Sequence, residues 1–227
     1  EEPENQKLFI EFLIYNELFK KNNISSQIVD FRNIPETCNF IYNRYTDFFL
    51  ENSVSAHLRK SFLNKSICFS PNPYEYLMLA DKQRMIDWWN IDFIKNSKMN
   101  ENLIQLIEKN VPKSFSLTSS NAETVWNDRK KLFFKPKNSY GSKQTYRGEK
   151  ISRKTFDNLF QDSFIAQEFI SAPEIELQTP VGNQLFKYDL RFFAYKGRVQ
   201  SVIARIYQGQ VTNLKTPYGG FAAVTFS

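Results

Sequence analysis

The sequence predicts a mixed α/β (α+β) chain, with an N-terminal α/β region of parallel strands followed by a strand-rich α+β region. Three observations predict it. The first seventy residues run strand, helix, strand, the rhythm of parallel strands joined by crossover helices. From Lys131 the character changes to longer, alternating strands closed by tight turns. The composition, 41% hydrophobic and 24% charged over 227 residues, is ordinary for a globular chain, and no run of 18 apolar residues implies a transmembrane helix.

Taken in order, Leu8 to Lys21 is apolar at helical spacing, and Ser26 to Phe31 reads as a short strand. Phe40-Ile41-Tyr42 forms a second strand, Asp47 to Phe62 a helix, and Ser66 to Ser70 a third strand stopped by Pro71 and Pro73. Helices follow over Tyr74 to Asn90 and Asn100 to Asn110. Val111 to Thr118 reads as an edge strand, because Pro112 near its start cannot donate to a ladder. A short helix spans Glu123 to Lys130. Leu132 to Lys135 is a strand, Asn138 to Ser142 a small polar loop, Ser152 to Phe160 a helix, and Phe164 to Ile170 a strand. Leu185 to Tyr195 and Arg198 to Tyr207 form a hairpin turning at Lys196-Gly197. The lobe boundary is expected near 111, giving regions 1–110 and 111–227.

Composition removes several chemistries. A single histidine, His57, allows no histidine-based metal cluster and leaves a nucleophilic triad one candidate base with no nucleophile motif beside it. Cys38 and Cys68 sit beside apolar residues and are expected to be buried, reduced thiols. The start, Glu1-Glu2-Pro3-Glu4-Asn5, is acidic and polar, unlike a secretion signal, so a cytoplasmic location is expected; it lacks an initiator Met, which leaves a longer N-terminus open. A net charge of +6 with 16% aromatics is compatible with nucleic acid, with a phosphate-bearing ligand, or with a plain solvated surface.

The chemistry centres on Phe133-Phe134-Lys135-Pro136. A lysine ending an apolar strand, followed by Pro and a Gly-containing polar loop, either holds phosphate with the loop N–H groups or reaches out to solvent. Other pieces stand in sequence with it: Ala80-Asp81-Lys82 upstream, then Ala166-Gln167-Glu168-Phe169-Ile170-Ser171-Ala172-Pro173-Glu174. After them come Asp189-Leu190-Arg191, Arg205, Thr212-Asn213 and Gly219-Gly220.

This ordered set, over roughly residues 74 to 220, resembles the ATP-grasp superfamily. Its hinge segment is similar to that of D-alanine–D-alanine ligases, and its Asp-x-Arg, Arg and Asn stretch is similar to that of glutamate ligases acting on ribosomal protein. Tyr42 to Phe48, Leu132 to Pro136 and Ala204 to Asn213 are also similar to a group of uncharacterised bacterial proteins. The resemblance implies a pre-ATP-grasp α/β region followed by two α+β lobes clasping ATP. It would set Lys82 and Lys135 on the α- and β-phosphates and Gly141 and Ser142 in a loop closing over the triphosphate. Adenine would lie along Ile165 to Phe169, Gln167 included, taking backbone hydrogen bonds from Glu168 and Phe169, with Glu174 on the ribose. Arg191 and Arg205 would face the γ-phosphate or the acyl phosphate made from it.

The function implied is an ATP- and Mg²⁺-dependent ligase joining a small-molecule or peptide carboxylate to an amine or thiol. A small-molecule kinase, or a non-catalytic nucleotide- or nucleic-acid-binding module, would use the same cleft. In one respect the sequence departs from the pattern: no acid follows Gly220. The oxygen ligands left for Mg²⁺ are Asp189, Gln210 and Asn213, which means a rearranged site, a shortened chain, or a relative that binds without catalysis. Arg44 and Asp47 are expected to pair. Lys143, Arg147 and Lys150 either extend the phosphate-binding surface or form a solvated face. The Phe pairs at 48–49, 133–134 and 192–193 are expected to be core and strand packing.

Overall fold

The computed structural model describes residues 2–6, 8–138, 144–161, 163–210, 212, 213 and 215–225. It is an α+β chain that divides into two compact units, Glu1–Asp81 and Lys82–Ser227.

In the first unit, α1 (Phe9–Lys21) precedes β1 (Phe40–Tyr42), which pairs in parallel with β2 (Cys68–Ser70) in the register Ile41 to Phe69. The crossover between them contains α2 (Ala56–Leu63). Phe31, Leu50, Leu58 and Phe69 make the buried core. The helix expected from Asp47 starts later because the Asp47 carboxylate organises a loop instead. It accepts from the N–H groups of Glu51 and Asn52 and from the Ser55 hydroxyl at 2.5 Å. Burial pushes this carboxyl up, yet these donors outweigh it and hold it below the ordinary range.

Several expectations are corrected here. Residues 26–31 form no strand, and Phe31 is used as a core side chain instead. Arg44 pairs with Glu11 at 3.1 Å and not with Asp47, whose acceptors are already occupied. Cys68 is exposed because β2 turns its neighbour Phe69 into the core and Cys68 to the opposite face, while Cys38, before β1, is half-buried; both are free thiols.

The second unit holds two four-stranded antiparallel sheets. The first has the order β3 (Ser114–Ser116), β6 (Phe164–Glu168), β4 (Leu132–Pro136), β5 (Tyr146–Arg147), so β3 is an edge as its proline predicts. Alternation gives each central strand two faces. Leu132, Phe134, Phe164 and Ala166 point to one side and join Val125 of α7 (Ala122–Asp128) and Phe156 of α8 (Arg153–Asn158) in the core. Phe133, Lys135, Ile165 and Gln167 point to the other. The second sheet has the order β10 (Gly220–Ala223), β9 (Arg198–Tyr207), β8 (Gly182–Tyr195), β7 (Glu174–Thr179).

The expected helix over 74–90 is broken. A short α3 (Pro73–Glu75), capped by the Asn72 side chain, runs into a π-helical turn, Tyr76–Ala80, and α4 (Gln83–Asp87) starts afresh after Asp81 and Lys82. Helices α5 (Ile91–Asn96) and α6 (Glu101–Asn110) follow. The boundary expected near 111 falls inside the second unit. There α4 packs on β3, and Trp89 Nε1 donates to the Pro112 carbonyl, tying residues 82–110 to the first sheet.

Candidate functional site

The non-core face of β4 and β6 carries the site. Register sets Lys135 opposite Ile165 and Phe133 opposite Gln167, so Lys135 and Gln167 are diagonal neighbours on one face. Lys135 Nζ donates to Gln167 Oε1 at 2.6 Å. Gln167 is buried, and its amide nitrogen donates to Ser114 Oγ on β3 at 2.9 Å and to Met85 Sδ of α4 at 3.3 Å. A polar group buried this far is costly unless satisfied, and each end of this amide has a partner. The consequence is geometric: β3, α4 and Gln167 together aim the Lys135 ammonium.

Lys82 stands at the start of α4, where its N–H and its Nζ both donate to the Lys137 carbonyl, at 3.2 and 3.4 Å. Burial first, and the positive charge of Lys82 second, hold Lys135 below the ordinary lysine range. Two cations brought together at the end of an apolar strand repel each other, and an anion between them relieves both the repulsion and the desolvation.

Beyond Phe133 the face continues as a stack. The rings of Phe133 and Phe169 are near-parallel, with centroids 6.2 Å apart and 14° between planes. Arg147 Cζ lies 4.3 Å from the Phe169 centroid, and Lys135 Nζ lies 5.6 Å from that of Phe133. Arg147 also pairs with Glu149 at 2.7 Å, while its Nε is buried without a partner. Gly148 sets this strand down: a Cβ there would meet the Arg129 carbonyl oxygen at 2.0 Å, so only glycine lets the chain pass this close.

The expected residues fall into three groups. Lys82, Lys135 and Gln167 are brought together, while Gly141 and Ser142 lie outside the described residues. Of the two residues expected to give a base backbone hydrogen bonds, Glu168 donates its N–H to the Lys113 carbonyl and Phe169 donates its N–H to that of Lys131, because β6 is an inner strand paired on both sides. Glu174 and Arg191 are exposed on the second sheet.

The third group is the expected metal set. Asp189 Oδ1 accepts from Arg205 Nε at 2.6 Å and Oδ2 from Thr212 Oγ1 at 2.9 Å. Asn213 Oδ1 accepts from the Lys215 N–H in a local turn, and Gln210 is exposed. With one carboxylate, and its oxygens engaged by an arginine and a threonine, these three do not form a donor set suited to Mg²⁺. No group of three or more His, Cys, Asp or Glu is placed to hold a metal among the described residues. The same pair binds Arg205, one of the two expected catalytic arginines, to Asp189 directly across the β8–β9 ladder.

Sequence reading passed over Ser114, Met85 and the stacking of Phe133 under Lys135. One signal was available: Gln167 is a polar residue at an inner position of the apolar run Phe164 to Ile170.

No family model matches the chain, and no curated protein does. One solved structure to which it is similar is that of the ATP-grasp ligase PsnB complexed with minimal precursor. The TM-score is 0.44 and the identity 9%, covering 91% of this chain and 75% of that one. No described helix is long and apolar enough to cross a membrane.

Proposed function

We propose that the Lys82–Ser227 unit is of the ATP-grasp kind and binds ATP along the Lys135 face of its first sheet. The reaction we infer is ATP-dependent ligation of a carboxylate to an amine or a thiol. The observation that carries the reading is the convergence of Lys82 and Lys135. The Lys135 ammonium is aimed by the buried Gln167 and flanked by the Phe133–Phe169–Arg147 stack. Fixed cations suit polyphosphate, and a ring–guanidinium platform suits a flat base.

The chemistry follows from that placement. A substrate carboxylate oxygen attacks the γ-phosphorus of ATP, ADP leaves, and an acyl phosphate results. The amine nitrogen then attacks the acyl carbon, inorganic phosphate departs, and the nitrogen loses a proton. Neither step requires a protein nucleophile, in keeping with one histidine and two free thiols. The protein's contribution is to position the reactants and to offset charge on the transferring phosphoryl group. Lys82 and Lys135 hold the phosphates, while Arg191 and Arg205, on one face of the second sheet, would meet the acyl phosphate. Of the oxygens expected to hold Mg²⁺, those of Asp189 are taken by Arg205 and Thr212 and that of Asn213 by the Lys215 N–H.

That same engagement of Asp189 favours a second reading, a nucleotide-binding module without catalysis. Melting with ATP tests the binding that both share. At a hundred times its dissociation constant, ATP adds about 2.7 kcal/mol, or about 5–11 °C for a chain of this size. Lys135→Ala is expected to abolish the shift; an unchanged shift in that variant overturns the site. Release of ADP with a matching acid and amine separates ligase from module.

A further inference from the structure

Phe192 and Phe193, expected to pack, do the opposite. They are 56% and 44% exposed, and Tyr195 is 65% exposed. All lie on the β8–β9 hairpin, whose strands pair from Lys187–Tyr207 out to Tyr195–Arg198. Successive side chains on one strand face stand about 6.6–6.8 Å apart. On the face of β8 that carries Asp189, the order outward is Arg191, Phe193, Tyr195, with Arg198 opposite Tyr195. Cation, ring, ring and cation therefore form one exposed row.

The hairpin is also one-signed. From Leu190 to Tyr207 there is no Asp or Glu, while Arg191, Lys196, Arg198 and Arg205 are basic. Arg205 is neutralised by Asp189, but Arg191, Lys196 and Arg198 form no salt bridge among the described residues. Exposed rings beside cations that have no carboxylate partner among the described residues, one of them (Lys196) 5.4 Å from the Tyr195 ring centroid, on a ribbon with an irregularity at Phe193/Ala194, are a poor way to make a plain surface.

We propose that the β8–β9 hairpin binds single-stranded nucleic acid, with a phosphate on Arg198 and bases stacked on Phe193 and Tyr195. Stacking accepts any base, so the ribbon reads little sequence and its binding is strongly salt-dependent. The rings decide between candidate polyanions. An acidic peptide would satisfy the arginines but offers no planar face at each repeat. A membrane-inserting hairpin would lead with apolar residues, whereas this tip is Lys196-Gly197 and the rings lie behind it.

The test uses the whole chain and a labelled fifteen-nucleotide oligothymidylate, read by fluorescence anisotropy across a salt series. Competitors are an abasic sugar-phosphate of equal length, poly-glutamate and phosphatidylserine vesicles. Phe193→Ala and Tyr195→Ala are each expected to weaken binding by between about fivefold and a hundredfold. Arg198→Gln should lower the salt slope by about 0.7, and Lys109→Gln, on α6, should change neither. Circular dichroism checks that each variant is folded. The proposal is overturned by absent binding at low salt, by an abasic chain, poly-glutamate or vesicles competing as well as the oligonucleotide, or by folded ring variants that bind like the parent. The ATP melting shift, read on the same samples, reports the nucleotide site alone, so either reading can fail without the other.

Discussion

The two four-stranded sheets of the second unit are built from similar strands and put to different uses. The β3-β6-β4-β5 sheet buries Phe134 and Ala166 completely on one face and sets a satisfied polar network beside the buried Ile165 on the other. The β10-β9-β8-β7 sheet leaves Leu190, Phe192 and Phe193 about half exposed and carries its charges along one face. Helices make the difference. The first sheet has α7 and α8 over its core face, so alternation becomes inside against site; the second shows its alternation to solvent among the described residues. Burial is what turns a lysine into a tuned cation. The same residue type on the second sheet, Lys196, lies exposed at the hairpin turn with its Nζ 5.4 Å from the Tyr195 ring centroid.

The sharpest break between the two is a pair of Phe truncations. Phe134→Ala should cost about 3–5 kcal/mol, while Phe192→Ala should stay within about 0.5 kcal/mol, both measured by denaturant melts. Equal costs would mean that both sheets are packed alike. Next in size, Gln167→Leu should destabilise by about 1–3 kcal/mol, because it strands the Lys135 ammonium beside an apolar side chain and leaves the Ser114 hydroxyl only the Pro112 carbonyl. It should also weaken ATP binding, which a loss of packing alone would not do in a variant that still melts cooperatively.

A titration comes third. Lys135 must be charged to hold phosphate, and its value in the ligand-free protein is depressed by burial and by Lys82. ATP affinity should therefore fall as pH rises, beginning below the ordinary lysine value of about 10.4, by at most about tenfold per pH unit. The linked effect on folding has the opposite sense. The unfolded chain binds this proton more tightly, so the Lys135 contribution to stability improves as pH rises from the folded value to the unfolded one. Affinity that stays flat up to pH 10 would remove Lys135 from the site. The smallest effect belongs to the second sheet: Asp189 and Arg205 are partly exposed, and a double-mutant cycle should couple them by about 0.2–1 kcal/mol.

Much of this was legible from periodicity. The Phe40–Tyr42 strand, the β8–β9 hairpin with its Lys196-Gly197 turn and the edge position of β3 are local patterns, set by alternation and by proline. The misses share a cause. The run 26–31 alternates like a strand but found no partner, and β7 was passed over because its short turn back to β8 falls beside Pro180. Among site residues, Lys82 and Lys135 could be singled out from the ends of their elements. Arg44 and Asp47 were read as a pair from their spacing, although their partners, Glu11 and Ser55, lie elsewhere in the sequence.

By itself the sequence determined the alternation of faces, the basic and aromatic character of the hairpin, and the placing of a lysine at the end of an apolar strand. Only the tertiary structure decided which face of each strand is buried, and that Lys135 meets an amide 32 residues away. It also engaged Asp189 with Arg205. The physical reason is that local patterning follows from backbone geometry one or two residues at a time. The choice of partner depends on strand register and on which helix covers which face, and a shift of one residue would send Lys135 to the opposite side of its sheet.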